Sequence, residues 1–339
     1  MNVLNVFQSW GKVLAGRIPM LSIEVTRECP LRCPGCYAYG ESHLGEGAPN
    51  LRSLSDFRGD DLVRGILRLV EEHQPLQVSL VGGEPLIRHR ELSRVLPELS
   101  RRGVYTMVVT SAVVPIPQEW TNLPKITVTV SVDGNPEHHD VRRKPATYDR
   151  ILKNIKDRKV NIHWTVVRNH LEQPRYLDRY LEFWNAQAEV NLIWVSVYTP
   201  QVNEDSAERL TEENRRELAA YFNSVRNRYP KLTMHKGLMN AFLAPPAEPS
   251  ACLFAKLSVN YTADLKTRVD PCVFGGVPNC SECGCSMSMG MHWLGNLRLA
   301  GPLRARHLIE ASLALGRVTN RTDYELPGSP SSDLVQISQ

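Results

Sequence analysis

From Leu21 onward the chain alternates between two periodicities. Short runs rich in β-branched residues, such as LSIEVT, QVSLVGG (77–83), VYTMVVTS (104–111), KITVTVSVDG (125–134), VNIHWTVV (160–167) and VNLIWVSVYT (190–199), read as strands. Between them, GDDLVRGILRLVEE (59–72), ELSRVLPELSRRG (91–103), TYDRILKNIKDR (147–158), PRYLDRYLEFWNAQ (174–187) and TEENRRELAAYFNSVRNRY (211–229) carry apolar residues at helical spacing. Gly103 ends the second helix, and Thr211 opens the last, with Glu213 and Asn214 in its first turn. Six βα units fit between residues 21 and 230. Buried apolar strands alternating with crossover helices predict an α/β fold with a parallel sheet.

The flanking segments differ. Residues 1–20 place Leu4, Phe7, Trp10, Val13 and Leu14 at helical spacing, which predicts a short amphipathic helix. Packing over the following domain is the favoured role for it; contact with a membrane surface is the alternative, because Lys12 and Arg17 flank its apolar face. The barrel-like domain is expected over 21–235, and a Pro/Ala-rich linker, LAPPAEPSA, follows at 243–251. A cysteine-rich region is expected over 245–301. Residues 302–321 read as a basic amphipathic helix, and the rest of 302–339 as a loose tail.

Composition narrows the class only slightly. The chain has 339 residues, a formal charge of +4 and no apolar run long enough to span a bilayer. The basic residues are dispersed, so nucleic acid is not an expected partner. No signal peptide is read at the N-terminus, which points to the cytoplasm, with the inner membrane face open if the amphipathic helices bind lipid. In that reducing compartment disulfides are disfavoured. The eight cysteines lie in two tight groups separated by more than two hundred cysteine-free residues, a pattern that suits local metal chelation.

Cys29, Cys33 and Cys36 form C-x3-C-x2-C directly after the first predicted strand. A closed zinc site needs four protein ligands, and His43 is a poor fit for the fourth. Three thiolates holding a [4Fe–4S] cluster leave one iron open to a small molecule. After the second strand comes Gly82-Gly83-Glu84-Pro85, and Ser131-Val132-Asp133-Gly134 ends the fourth. Glycines let a backbone approach a ligand, and a carboxylate accepts from an ammonium.

Together these motifs resemble the radical S-adenosylmethionine (SAM) enzymes. The resemblance implies a partial (β/α)6 TIM-like barrel with the active site at the C-terminal strand ends. It implies a [4Fe–4S] cluster on Cys29, Cys33 and Cys36. Contacts to SAM are expected from Gly82, Gly83, Glu84 and Pro85, with Ser131 and Asp133 meeting its ribose or carboxylate. Many members carry an aromatic residue just before the third cysteine. Here that residue is Gly35, and the aromatic, Tyr37, follows the cysteine. Arg168, Asn169, Val197 and Tyr198 are further candidates at strand ends. His138, His139, Asp140, Arg142, Arg143 and Lys144 read best as a solvated charged loop near the mouth.

Within the family the chain resembles the adenosylhopane-forming subgroup of hopanoid lipid synthesis over roughly residues 1–275. Shared features are the Gly before the third cysteine, GGEP, the strand-four end, the N-terminal helix, and the order Cys252, Asn260-Tyr261, Cys272.

Five cysteines remain: Cys252, Cys272, Cys280, Cys283 and Cys285. LSVNYT and KTRVDP read as a hairpin around Ala263-Asp264 that brings Cys252 to Cys272. The arrangement loosely resembles the SPASM and twitch extensions of radical SAM enzymes, which implies a second [4Fe–4S] cluster. A structural zinc is the alternative and free buried cysteines the third reading. Cys285 is the expected spare ligand.

The expected function is therefore reductive cleavage of SAM to a 5′-deoxyadenosyl radical that acts on a small-molecule or lipid substrate. A low-potential donor such as a flavodoxin or ferredoxin is the implied partner, with peripheral membrane contact from the helices. A peptide-modifying enzyme is the rival reading, disfavoured because the N-terminal twenty residues are short for a peptide-binding domain. A non-enzymatic zinc or iron–sulfur protein is the last.

Overall fold

The computed structural model describes residues 10–36 and 56–320. Its centre is a parallel sheet built from β1 (Met20–Glu24), β2 (Gln77–Val81), β3 (Tyr105–Thr110), β4 (Ile126–Ser131), β5 (Val160–Val166), β6 (Val190–Val197) and β7 (Ser258–Tyr261). The order across the sheet is β6-β5-β4-β3-β2-β1-β7. This is the expected α/β partial barrel, with the six βα strands in sequence order. Helices Gly59–His73, His89–Arg101, Tyr148–Ile155, Tyr176–Ala186 and Glu212–Val225 make the long connections. The last is capped by Thr211, whose hydroxyl accepts from Asn214 N while the Asn214 side chain accepts from Thr211 N.

Strand alternation sorts the two faces. Val78, Leu80, Val108, Val128, Val130, Ile162, Ile193, Val195 and Val259 join the hydrophobic core. The intervening positions turn inward and are mostly small and polar: Ser22, Ser79, Thr129, Ser131, Thr165, Ser196, Ser258 and Asn260, with Met107 and His163. Register aligns them across strands, so that Ser22 lies between Ser79 of β2 and Asn260 of β7. Ser131 likewise pairs with His163, and His163 with Trp194.

The seventh strand is a correction. SVNY is not primarily one arm of a hairpin; it adds to the open edge of β1, in parallel. Its backbone groups find a partner there that an isolated two-stranded ribbon does not provide. A remnant of the hairpin persists on its other side, where Val269 N donates to Asn260 O and Thr262 N to Thr267 O, both at 2.9 Å. The turn does fall at Asp264, whose carboxylate accepts from Thr262, Lys266 and Thr267.

The cysteine-rich segment covers the gap between the two edge strands. Helix Leu253–Leu257 leads into β7, while Gly284 O accepts from Val197 N at the end of β6, at 2.9 Å. Gly284 lies so close to β6 that a Cβ would stand 1.8 Å from Val197 O. Helix Ser286–Gly295 then packs on Leu253–Leu257 and on β6. A short antiparallel pair, Arg298–Ala300 with Leu303–Arg304, precedes helix Ala305–Asn320, so that helix starts later than the sequence suggests.

At the N-terminus, residues 10–14 are helical. Val13 packs with Leu253, Leu257 and Leu313, and Trp10 Nε1 donates to Ser312 Oγ at 2.8 Å. This segment therefore rests on the C-terminal helix and on Leu253 and Leu257, where packing over the barrel domain was expected. Among the described residues no helix is long and apolar enough to cross a membrane.

Candidate active site

A cavity of about 320 Å³ occupies the barrel interior and opens at the strand ends. Cys29, Cys33 and Cys36, in the loop after β1, line its rim. Burial pushes the Cys29 thiol up to about 11 and also raises Cys33, although Arg143 and Arg142 pull Cys33 back. Soft, protonated thiols of this kind become ligands when a cation displaces their protons. The position before the third cysteine is glycine for a steric reason. Gly35 has φ +61°, and a Cβ there would meet Tyr198 Oη at 2.9 Å. The Tyr198 ring, from the end of β6, already fills the space beside it. Tyr37 lies outside the described residues.

Gly82 and Gly83 form a tight turn at the end of β2. Gly82 has φ +79°, and a Cβ on Gly83 would fall 2.2 Å from Glu28 O. Glu84 N donates to the same carbonyl at 2.8 Å, tying this turn to the cysteine loop. Gly82, Gly83 and Glu84 line the cavity, and Pro85 does not. Glu84 itself is buried and its oxygens are engaged. Oε1 accepts from Leu86 N and Thr110 Oγ1, and Oε2 from Ser111 N and Oγ. Four donors fill a carboxylate's usual acceptor sites. Pro85 opens the short 3-10 turn Pro85–Arg88 behind it.

Ser131 and Asp133 reach the cavity from β4. Asp133 Oδ2 accepts from Arg143 Nε at 2.7 Å and Arg142 Nε at 3.2 Å, and Oδ1 from Thr165 N at 3.3 Å. Arg142 also reaches Glu208. Although burial opposes it, the paired guanidinium charges hold the Asp133 carboxyl well below its ordinary range.

The segment expected to be a charged loop is a helix, Pro136–Arg142. His139 is fully buried in it, accepting from Asp133 N and donating to Ala146 O. His138 meets the Tyr176 hydroxyl at 2.8 Å, and Asp140 accepts from Tyr148 N. Arg142 and Arg143 line the cavity; His138, His139, Asp140 and Lys144 do not. Val197 and Tyr198 line it, and Arg168 and Asn169 do not.

Sequence reasoning missed the barrel floor. Thr129 Oγ1, Ser258 Oγ, Asn260 Oδ1 and Trp194 Nε1 are buried polar atoms without a hydrogen-bond partner, and all four residues line the cavity. His163 Nε2 meets Ser196 Oγ at 2.8 Å, which lies 3.1 Å from Ser286 Oγ. Burial pushes His163 down to about 4, so it is neutral at pH 7. The available signal was serine, threonine and asparagine at alternate positions of otherwise apolar strands.

All five remaining cysteines line one small, apolar-walled cavity beside the barrel. Cys252 lies before β7 and Cys272 beyond it, while Cys283 and Cys285 are held by the segment docked on β6. Cys285 is not set apart as expected: it lines this cavity and the barrel cavity too. Burial pushes Cys280 and Cys285 up to about 12 and raises Cys272 and Cys283. Among the described residues no three or more His, Cys, Asp or Glu groups stand ready to hold a metal ion as the side chains lie. Three thiols at the rim and five around a second cavity fit sulfur-ligated clusters as a donor set.

Residues 23–167 match the family model of the Radical SAM superfamily. No curated protein matches the chain. Among solved structures, native anSMEcpe with bound AdoMet is 17% identical, with a TM-score of 0.55, over 87% of this chain and 84% of that one. Streptococcus suis SuiB bound to its precursor peptide SuiA is 18% identical, with a TM-score of 0.51, over 77% of this chain and 62% of SuiB. SuiB bound to S-adenosylmethionine is 17% identical, with the same TM-score. The chain thus spans less than two thirds of the length of SuiB. At these identities the likeness establishes the fold, and the family match covers the segment from β1 to the end of β5.

Proposed function

We propose that the chain is a radical SAM enzyme with an auxiliary iron–sulfur cluster. The observation that carries this reading is the convergence of Cys29, Cys33 and Cys36 with the Gly82-Gly83 turn on one rim of the barrel cavity. When bound by the three thiolates, a [4Fe–4S] cluster supplies the electron that cleaves SAM to methionine and a 5′-deoxyadenosyl radical.

The protein's own groups bind and orient. The Gly82-Gly83 backbone receives the methionine end of SAM; lack of side chains lets this turn seat against Glu24 and the Glu28 carbonyl, beside the three cysteines. Glu84 stiffens that turn through its four accepted hydrogen bonds. Asp133, fixed by Arg142 and Arg143, presents a charged wall beside Cys33. The barrel walls exclude water around the reacting carbon.

The five-cysteine cavity is the proposed auxiliary site, which Cys285 places against the barrel cavity. Peptide modification gains support from the fold likeness to SuiB, a protein captured with a precursor peptide. The hopanoid-type lipid reading rests on the sequence resemblance. Anaerobic reconstitution tests the whole. Two cubane clusters give about eight iron per chain, and addition of SAM and dithionite releases 5′-deoxyadenosine. Iron-replete protein that forms none overturns the proposal.

A further inference from the structure

The floor of the barrel cavity is chemically distinct from its rim. Seven strands contribute to it, and the inward positions near the middle of the sheet are Ser22, Ser79, Thr129, His163, Ser258 and Asn260. A barrel shaped to hold hydrocarbon would carry valine and leucine there. This chain keeps Val81, Val109 and Val197 at the strand ends near the rim and sets the serines, threonine and asparagine deeper. Thr129, Ser258 and Asn260 are 0, 2 and 4% exposed, yet Thr129 Oγ1, Ser258 Oγ and Asn260 Oδ1 have no partner in the protein. Trp194 Nε1 is a fourth such group on the same wall. Each buried polar atom left unpaired costs about 1–3 kcal/mol. Of the twelve such side-chain atoms among the described residues, four face this one cavity, where a bound molecule can reach all of them together.

What partner fits follows from the groups. Asn260 Oδ1 accepts only, since its Nδ2 already donates to Val269 O at 3.4 Å. Trp194 Nε1 donates only. Thr129 and Ser258 hydroxyls do either. No charged side chain belongs to the floor. Asp133 and Glu84 lie at the rim and are satisfied there by two arginines and by Thr110 and Ser111. His163 is held neutral and meets Ser196.

We infer that the barrel floor binds the reacting end of the substrate through an uncharged group with both a hydrogen-bond donor and an acceptor, such as an amide or a hydroxyl, rather than through a hydrocarbon chain. This rests on the radical SAM reading of the rim and adds the substrate class to it. A hydrocarbon tail would displace water from these four groups and leave them unpaired. An amide or hydroxyl replaces what the water supplied. Met107, Phe254, Phe274 and Met287, which also line the cavity, are left to pack against the substrate's apolar part.

Two measurements test it. The first needs no turnover. In the metal-free protein, Thr129→Val and Ser258→Ala remove unpaired groups with little change of shape. Both are expected to raise the melting temperature, alone and additively, because groups kept for binding cost stability. A lower melting temperature would show that they brace the fold and would overturn the inference. The second uses reconstituted enzyme with SAM, dithionite and one perdeuterated probe at a time: N-methylacetamide, glycerol or cyclohexane. The probe loses a deuterium atom to the adenosyl carbon, and mass spectrometry of the 5′-deoxyadenosine reads it. Label from the amide or the alcohol supports the inference and tells amide from hydroxyl. That label, as a fraction of the 5′-deoxyadenosine formed, is expected to drop at least fivefold in the Thr129→Val/Ser258→Ala enzyme. Label from cyclohexane alone, or label insensitive to the double substitution, overturns it. Absence of 5′-deoxyadenosine in every arm overturns the radical SAM reading as well, so the two failures are distinct.

Discussion

Arg143 Nε donates to Asp133 Oδ2 at 2.7 Å, and both side chains are withdrawn from solvent beside Cys33. Arg142 shares the same carboxylate oxygen. One buried negative charge thus balances two guanidinium groups at the rim of the barrel. Replacing it is expected to be severe. Asp133→Asn leaves Arg143 without its carboxylate while Arg142 keeps Glu208, and loss of one partner of a buried ion pair costs about 3–5 kcal/mol. Urea unfolding of the metal-free protein measures this. A loss below about 1 kcal/mol would mean that water already compensates the pair.

Acid stability follows from the same neighbourhood. His139 and His163 are pushed down to about 4 and His170 to about 3, each mainly by burial. The unfolded chain takes up protons at these histidines near pH 6.5. Stability is therefore full above that pH and falls as the pH drops toward 4. Asp133, held below its ordinary range, adds a further loss below about pH 4. Melting temperatures of the metal-free protein should decline in two stages. A flat profile between pH 7 and 4 would contradict the burial of the histidines.

Gly83→Ala places a methyl group against the Glu28 and Thr26 carbonyl oxygens, at 2.2 and 2.7 Å. The turn must move away from the cysteine loop. SAM affinity, measured by equilibrium dialysis on reconstituted protein, should fall at least tenfold. Iron content is expected to fall less than SAM affinity, because the methyl group strikes Glu28 O and not a thiol.

Glu84→Gln puts an amide N–H₂ where one carboxylate oxygen accepts from two donors. One or two buried donors lose their acceptor, at about 1–3 kcal/mol each. The expected result is a lower melting temperature with or without SAM. Loss of SAM binding with stability unchanged would instead assign Glu84 to the ligand.

The two cysteine groups should be separable by iron content. Replacing Cys29, Cys33 and Cys36 by alanine should remove about four iron and abolish 5′-deoxyadenosine formation. Replacing Cys252, Cys272, Cys280 and Cys283 should remove about four others and leave SAM cleavage measurable. Cys285→Ser decides whether that residue is a fifth, spare thiol: iron stays at the wild-type level if so. Equal iron loss from both sets would mean a single shared site.

The six βα strands were legible because each is a compact β-branched run set off by a helix of ordinary length. The rim was legible because C-x3-C-x2-C and GGEP follow consecutive strands. β7 was not, since LSVNYT carries the same pattern whether it pairs with KTRVDP or with β1. The strand does both, and its pairing with β1 depends on a vacant edge more than two hundred residues away. The engaged state of Glu84 was hidden for a similar reason, because Thr110 and Ser111 meet it only once β2 and β3 lie side by side. The polar floor was written in the strands as alternate Ser, Thr and Asn. Its meaning needed the register that brings Ser22, Ser79 and Asn260 into one row.

The pairing of β7 with β1 also sets an order of events. A ribosome releases β1 early and Ser258–Tyr261 only after all six βα units, so one side of β1 waits as a bare edge while most of the chain is made. The cysteine loop after β1 is exposed from the start, whereas the five-thiol cavity does not exist until that edge is filled. The three-thiol rim is thereby complete well before the five-thiol cavity.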